Sequence, residues 1–550
     1  MSEFNPTKIV EKYSIDLINR LNKEEGNSLV LHNQSFERLP KKLISSASKV
    51  NRIYLQECSN LISLDGIEAF VNLESLIING CNKLTSIDQL DKLDKLDKLD
   101  KLDKLKELGI DYHHFETLSN NKSVILNKIE RVISSTETIN SISKTNTRIK
   151  SINISFSYNG KKSSTEELKI ENLSNLEEIS YSLGSTIDTS KLDKAFPKLK
   201  RIFTYSYCSQ EDLDEFTKIS RLTHLSITSP SVANGALSLK NVKNLKELKH
   251  LSIDIYNSDD EFINIDGVSN IESLKFLTLK SSNTPLELQF LSNLENLSHL
   301  DLRANFQDDN LHNIAHLKKL KTLAIEDSEN SRLKSIEGIE HIPLLQRLEV
   351  KSFQKIFNFK KLSTLKKLKS LFIYIERNSS RLSELIRLPS LPLISHLSLP
   401  SNVDFSTLEN TPSLVSLTID GNTKLFEEHL LKLNKLSRLT ISENENISDL
   451  RTLNNLKSLE SLYISYCKNL KSLEGINDLH SLKKLSVICC EGLTDLNPLK
   501  ETDTIDIIDI VRFEPIYIDW DLSKKIFFEN TLSNISFELS AEHIPNELTA

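Results

Sequence analysis

Three histidines recur at similar intervals along this 550-residue chain, His224, His250 and His299, with Phe276 between the last two and His396 further on. Imidazoles gathered at one place can ligate a metal or carry a proton. Six cysteines add thiols that could hold zinc, but no C-x-x-C occurs and Cys489 and Cys490 are adjacent, which disfavours a zinc site. Gly160-Lys161-Lys162-Ser163 has part of a phosphate loop; Ser155 replaces the first glycine, and no Ser or Thr directly follows Lys161. The phosphate nest and the magnesium ligand are therefore missing. H-E-x-x-H, G-x-S-x-G and G-x-G-x-x-G are absent, and the carboxylates are dispersed. The expectation is a chain with no catalytic residues, no metal and no cofactor.

Charge and composition remove further classes. With 69 basic and 76 acidic residues the net charge is -7, so no basic excess argues for nucleic acid or an anionic membrane. Only 12 glycines and 13 prolines exclude collagen-like and low-complexity chains. No stretch approaches the roughly 18 uncharged apolar residues of a membrane span, and the first residues lack the apolar core of a signal peptide. A cytoplasmic monomer is expected, with signal-less secretion as an effector as the alternative.

The histidines recur because the chain recurs. Leu436, Leu459 and Leu482 each open the frame L-x-x-L-x-I-x-x-C/N-x-x-L-x-x-L-x-x-L, 23 residues apart. Eighteen copies run from Val50 to Leu482, with weaker ones near Thr504 and Leu532. The alternating apolar residues of L-x-x-L-x-I are strand periodicity. One short strand cannot bury its own inner face, so successive copies must stack into a parallel sheet over a continuous leucine core. The L-x-x-L-x-x-L stretch returns the chain as helix, 3-10 or extended turns. At the ninth position, Cys58, Cys81, Asn305, Asn422, Asn444, Cys467 and Cys490 are expected to turn inward and satisfy backbone groups at the bend.

This frame resembles the leucine-rich repeat family over nearly the whole chain. The regular copies are similar to the internalin and SDS22-like class. The C-x-x-L-x-S-L-x-G copies, Cys58 to Gly66 and Cys467 to Gly475, are similar to plant-type immune receptors. The resemblance implies an α/β solenoid, a horseshoe or superhelix with a parallel β-sheet on its concave face.

Side chains alternate along a strand, so frame positions three, five and seven face away from the core. Position three gives His224, His250, Phe276 and His299 in successive copies, then Thr322, Arg347, Ser370 and His396. Positions five and seven add Asp301, Arg303, Lys280, Glu349 and Lys351, and the aromatic Phe203, Tyr205, Phe372, Tyr374 and Tyr463. Exposed rings and arginines dominate protein interfaces. The candidate partner-binding residues are therefore His224, His250, Phe276, His299, Arg303, Arg347, Phe372, Tyr374, His396 and Tyr463. A metal or catalytic histidine cluster is disfavoured, because neighbouring rings on a sheet run parallel rather than converge. The expected role is a non-catalytic scaffold for a protein partner, in one form a regulatory subunit. A bacterial effector or immune-type recognition protein is the alternative.

Three segments depart from the frame. Residues 1–45 are expected to be a helical cap, with Asn5 as N-cap, Pro6 in the first turn, and Ile9, Tyr13, Leu17 and Leu21 as an apolar stripe. Within the 46–503 solenoid, Leu90 to Lys104 repeats L-D-K five times, and Ser123 to Ser134 is expected to be helical, in a segment that could be a hinge or a degenerate double copy. Residues 504–550, with Trp520, are expected to close the array as a β-rich cap.

Overall fold

The computed structural model describes residues 28–32, 36–39, 47–84, 90, 104–110, 129–143, 148–154, 168, 173–181, 187–205, 208–228, 235–255, 260–352, 359–375, 386–421, 430, 432–502, 504–505, 507–511, 516–518 and 537–539. The chain divides into two compact units, residues 2–257 with 262–274, and residues 258–261 with 275–550. In the first unit, ten strands from Ser28–His32 to His250–Asp254 form a parallel ladder. In the second, eleven strands from Phe276–Leu286 to Ile507–Val511 do the same.

Each ladder keeps the frame in register. Leu225 lies against Leu251, and Leu439 against Leu462, so the leucines that open each strand meet one another. The strand His299–Phe306 shows why. Leu300, Leu302, Ala304 and Phe306 are buried, whereas His299, Asp301, Arg303 and Asn305 between them are half-exposed. A one-residue slip would exchange the two sets, which is what fixes the register. After the strand the chain returns through short 3-10 segments such as Arg451–Leu453 and Ile476–Asp478. Three residues per 3-10 turn place every third side chain on one side. Leu450, Leu453, Leu456 and Leu459 accordingly all point into the core.

The bend after each strand has its own geometry. The eighth frame position is left-handed in Glu57, Glu443, Tyr466 and Cys489, with φ between 52° and 55°, and in Gly80 and Gly421. That twist turns the N–H toward the next copy: Glu443 donates to the Ser465 carbonyl at 2.8 Å and Tyr466 to Ile488 at 2.9 Å. The ninth side chain then turns inward. Cys58 donates to the Leu31 carbonyl at 3.3 Å, and Cys81, Cys467 and Cys490 reach Leu55, Ile441 and Ile464 at 3.8, 4.0 and 4.0 Å. Cys490 also accepts from the Cys467 N–H at 3.4 Å, and Asn444 is buried and accepts from the Asn446 N–H at 2.8 Å. Asn305 is a correction. Its strand continues to Phe306, so Asn305 stays on the outward side and bonds Gln307 instead. Asn422 lies outside the described residues.

One other expectation changes, and the ladder reaches further at both ends. Ser123 to Ser134 is not helical at its described end: Arg131–Ser134 is a ladder strand, and the helix is Thr136–Ser143 beyond it. Ile129 opens a further copy of the frame, with Ile129 and Val132 buried, so the long gap before Ile149 is a double copy. The ladder begins at Ser28–His32, inside the segment expected to be a helical cap. At the other end, Ile507–Val511 pairs with Lys484–Ile488 and continues the ladder, and Ile516–Ile518 pairs with Phe537–Leu539 in a separate parallel pair. Residues 1–27, the L-D-K run between 91 and 103, Gly160 to Ser163 and Trp520 lie outside the described residues.

Candidate functional site

Every candidate binding residue sits on the outward side of a ladder strand, and none is buried. In the first unit His224 and His250 are register partners, with rings stacked 5.6 Å apart and 20° from parallel. In the second unit Phe276 stacks on His299 at 4.2 Å and 16°. Rings held face to face share one direction and cannot converge on an ion. Among the described residues, no group of three or more His, Cys, Asp or Glu side chains is placed to hold a metal.

A hydroxyl that the sequence reading overlooked fixes three of these imidazoles. Thr223, Ser298 and Ser395 immediately precede His224, His299 and His396, and each lies 2.9 Å from the Nδ1 of its histidine. The same hydroxyls donate to the preceding copy's carbonyls, Lys200, Lys275 and Lys369, at 3.2, 3.0 and 3.2 Å. A hydroxyl has one proton. With that proton on the carbonyl, the oxygen must accept from Nδ1–H, which leaves Nε2 as an acceptor. Nε2 of His396 uses its lone pair to accept from Arg438 at 3.0 Å. The readable signal is a Ser-His or Thr-His dipeptide at positions two and three.

Electrostatics keep these rings neutral. Burial, and then the nearby Arg201, hold His224 below the usual histidine range; burial and then Lys321 do so for His299; burial, then Arg438 and Arg347, do so for His396. A folded pKa below the unfolded value of about 6.5 means the folded chain binds fewer protons. The stability these groups contribute is present above the unfolded value and is lost as pH falls through the folded one. Proton NMR titration should therefore place the midpoints of all three below that of a free histidine. Midpoints above it would contradict burial and the nearby cations as the controlling influences.

Around the rings, charges are paired across strands. Lys280 meets Asp301 at 2.7 Å, and Lys351 meets Glu326 at 2.7 Å. Burial pushes Asp301 above the usual carboxylate range, against the opposing pull of Lys280. Arg303 lies in the seventh-position row between Lys280 and Glu326. Arg347 bonds Glu349 at 2.9 Å and places its guanidinium 4.1 Å from the centre of the Phe372 ring. Tyr374 is the register partner of Lys351, and Tyr463 lies between Thr440 and Ser486.

The repeating frame and these in-register ladders define a leucine-rich-repeat solenoid. No family model matches the chain, and no curated protein does. Among solved structures, an internalin from Listeria monocytogenes is 21% identical over 64% of this chain and 85% of its own, with a TM-score of 0.37. A leucine-rich-repeat protein of Leptospira interrogans is 17% identical over 85% of this chain and 96% of its own, with a TM-score of 0.37. The TLR13–ssRNA13 complex gives 16% identity over 92% of this chain and 85% of that chain, with a TM-score of 0.44. The fold assignment rests on the chain's own repeat and register. Among the described residues, no helix is long and apolar enough to cross a membrane.

Proposed function

We propose that this chain is a non-catalytic scaffold that binds a protein partner through the outward face of its sheet. The observation that carries this reading is the Arg347–Phe372 pair, a guanidinium over a ring, half in water and held on a strand whose neighbours are fixed in register. Arginines and aromatic rings on rigid backbone are the residues from which interfaces draw most of their affinity. The face can also change without cost to the fold, since the core is built from the alternate positions. In the first unit the stacked His224–His250 pair adds a ring anchor; in the second the Phe276–His299 pair adds another, and Arg303, Tyr374, His396 and Tyr463 lie on that unit's outward face. A regulatory subunit is the specific form we favour; a bacterial effector or immune-type recognition protein is the alternative.

The test is a pulldown from the native extract, comparing the wild-type chain with Phe372→Ala/Tyr374→Ala, Phe276→Ala/His299→Ala and His224→Ala/His250→Ala. Lys457→Ala, in the return segment, is the control. At least one face variant should lose the partner recovered by wild type and control. Equal recovery in every variant would remove the sheet face as the binding surface.

A further inference from the structure

A net charge of -7 is an average over the chain, and one edge of the second unit departs from it. The edge is made of the two residues before, and the one residue after, the leucine or isoleucine that opens each copy. Over the six copies opened by Leu320, Leu345, Leu368, Ile394, Leu414 and Leu436, these eighteen positions hold seven lysines and no carboxylate. Lys318, Lys319 and Lys321 belong to the first of these copies. Lys366, Lys367 and Lys369 belong to the third, and Lys435 to the last; all are exposed. The edge is continuous, because the backbone ladder runs through it. Gln346 donates to the Lys321 carbonyl, Lys369 to Gln346 and Ser395 to Lys369, each at 2.8 Å, then Val415 to Ser395 and Ser437 to Val415 at 2.9 Å. At about 4.8 Å per strand the six copies extend about 24 Å.

These charges are not neutralised. Lys318 donates to the His341 carbonyl at 2.8 Å, Lys319 to the Asn296 side-chain oxygen at 2.6 Å, and Lys366 to the Ser363 carbonyl at 2.8 Å, all neutral acceptors. Among the described residues, none of the seven lysines makes an ion pair. The acids five residues before an opening leucine, Glu340 and Glu409, are bonded to Lys361 and Lys432 at 3.2 and 2.7 Å. The sheet face of the same unit differs, since Lys280, Lys351 and Arg347 each meet a carboxylate there. So does the same edge of the first unit, where Lys150 bonds Glu130 at 3.1 Å and Arg221 bonds Asp193 at 2.5 Å. Between its lysines the second unit's edge is apolar. Leu344, Leu393 and Val415 stand there in water, Leu393 to 51%, and exposed Pro343, Pro392 and Pro412 precede them in their copies.

The composition of the edge selects its occupant. Protein interfaces are rich in rings and arginine and poor in lysine. Proteins that hold single-stranded nucleic acid stack its bases on rings. The eighteen positions contain no aromatic ring and no arginine. A lysine ammonium is a point charge on a flexible stem, suited to a diffuse layer of negative charge rather than to paired oxygens in fixed geometry. The aliphatic side chains between the lysines call for an apolar phase directly beneath that charge. The surface of an anionic bilayer supplies both, with headgroups for the cations and the start of the acyl chains for the leucines. We propose that this edge docks the chain on a membrane of anionic phospholipid. The lysines lie among the headgroups, and Leu344, Leu393 and Val415 enter the boundary between headgroups and acyl chains. The sheet face is not used, so this inference does not depend on which partner that face takes.

The test is sedimentation of the full chain with vesicles of phosphatidylcholine, alone or with about 30% phosphatidylserine, at about 0.1 M salt. The chain should sediment with the acidic vesicles and not with the neutral ones, and about 0.5 M salt should release it. One lysine near such a surface strengthens binding about fivefold, so Lys366→Glu/Lys367→Glu/Lys369→Glu should weaken it about a hundredfold or more. Lys334→Glu/Lys468→Glu/Lys471→Glu makes the same change of charge at frame positions ten to fifteen, and should stay within about twofold of wild type. Leu393→Ser should weaken binding about fivefold, through the loss of an inserted apolar side chain. Circular dichroism of each variant would show that the fold is kept. No sedimentation with acidic vesicles, equal sedimentation with neutral ones, equal losses in the two triple variants or an unchanged Leu393→Ser would each overturn the proposal. Release from the vesicles by polyglutamate or oligo-dT at equal charge would overturn it too, and assign the edge to an acidic protein segment or to nucleic acid.

Discussion

Alanine at Gly475 is expected to destabilise the second unit by about 3 kcal/mol, the combined scale of a strained backbone conformation and an overpacked contact. Gly475 holds φ at +97°, and a Cβ there would sit 2.6 Å from the Arg451 nitrogen and 2.7 Å from the Leu450 carbonyl carbon. Both are backbone atoms of the preceding copy, which cannot move aside without opening the stack. Gly80 is the contrast. It is also left-handed, but the nearest atom to its Cβ would be the Glu57 Cγ at 3.3 Å, on a side chain that can swing away. Its frame position is one where Glu443, Tyr466 and Cys489 already accept a left-handed backbone. Gly80→Ala should therefore cost only the strain of a left-handed backbone, about 1–2 kcal/mol. Urea unfolding of the two variants separates them, and equal losses would mean that the copies are not packed as closely as described.

The second large effect falls on binding. Removing the Phe372 ring or the Arg347 guanidinium is expected to weaken the partner about a hundredfold, the scale of an interface hot spot. Each group holds the other, since the cation sits 4.1 Å from the ring centre, so the double variant should be little worse than either single one. Stability should change little, because neither side chain belongs to the leucine core. Titration of the recovered partner against Arg347→Ala, Phe372→Ala and the pair completes the cycle. Additive losses would show that the two act separately.

The ladder was legible in the sequence because a leucine frame carries its own register. Leu439 meets Leu462 for the same reason that both open a strand in a 23-residue copy. The parallel rings followed from the same geometry. The copy opened by Ile129 was hidden because its sixth position is Ser134, a polar residue in an apolar slot. Its hydroxyl is satisfied by the Ile110 carbonyl, a partner that exists only once the copies are stacked. Asn305 misled because its ninth-position role assumes that the strand ends at the eighth residue, and this strand does not. The division into two units near residues 258–275 left no mark, since the 26-residue step from Leu248 to Leu274 is ordinary for this chain. Of the site, the residues facing water were legible from alternation alone. Their tautomers and charge partners were not, because these depend on hydroxyls and acids brought in by neighbouring copies.

Histidine modification by diethyl pyrocarbonate, with and without the partner bound, tests the sheet face most directly. The reagent needs an unprotonated ring nitrogen, and His224, His250, His299 and His396 lie on the outward face. His312, His341 and His480 are exposed on the return segments. Partner binding should slow modification within the first group and leave the second unchanged. Protection of His312, His341 or His480, with the first group untouched, would place the partner on the wrong side of the molecule.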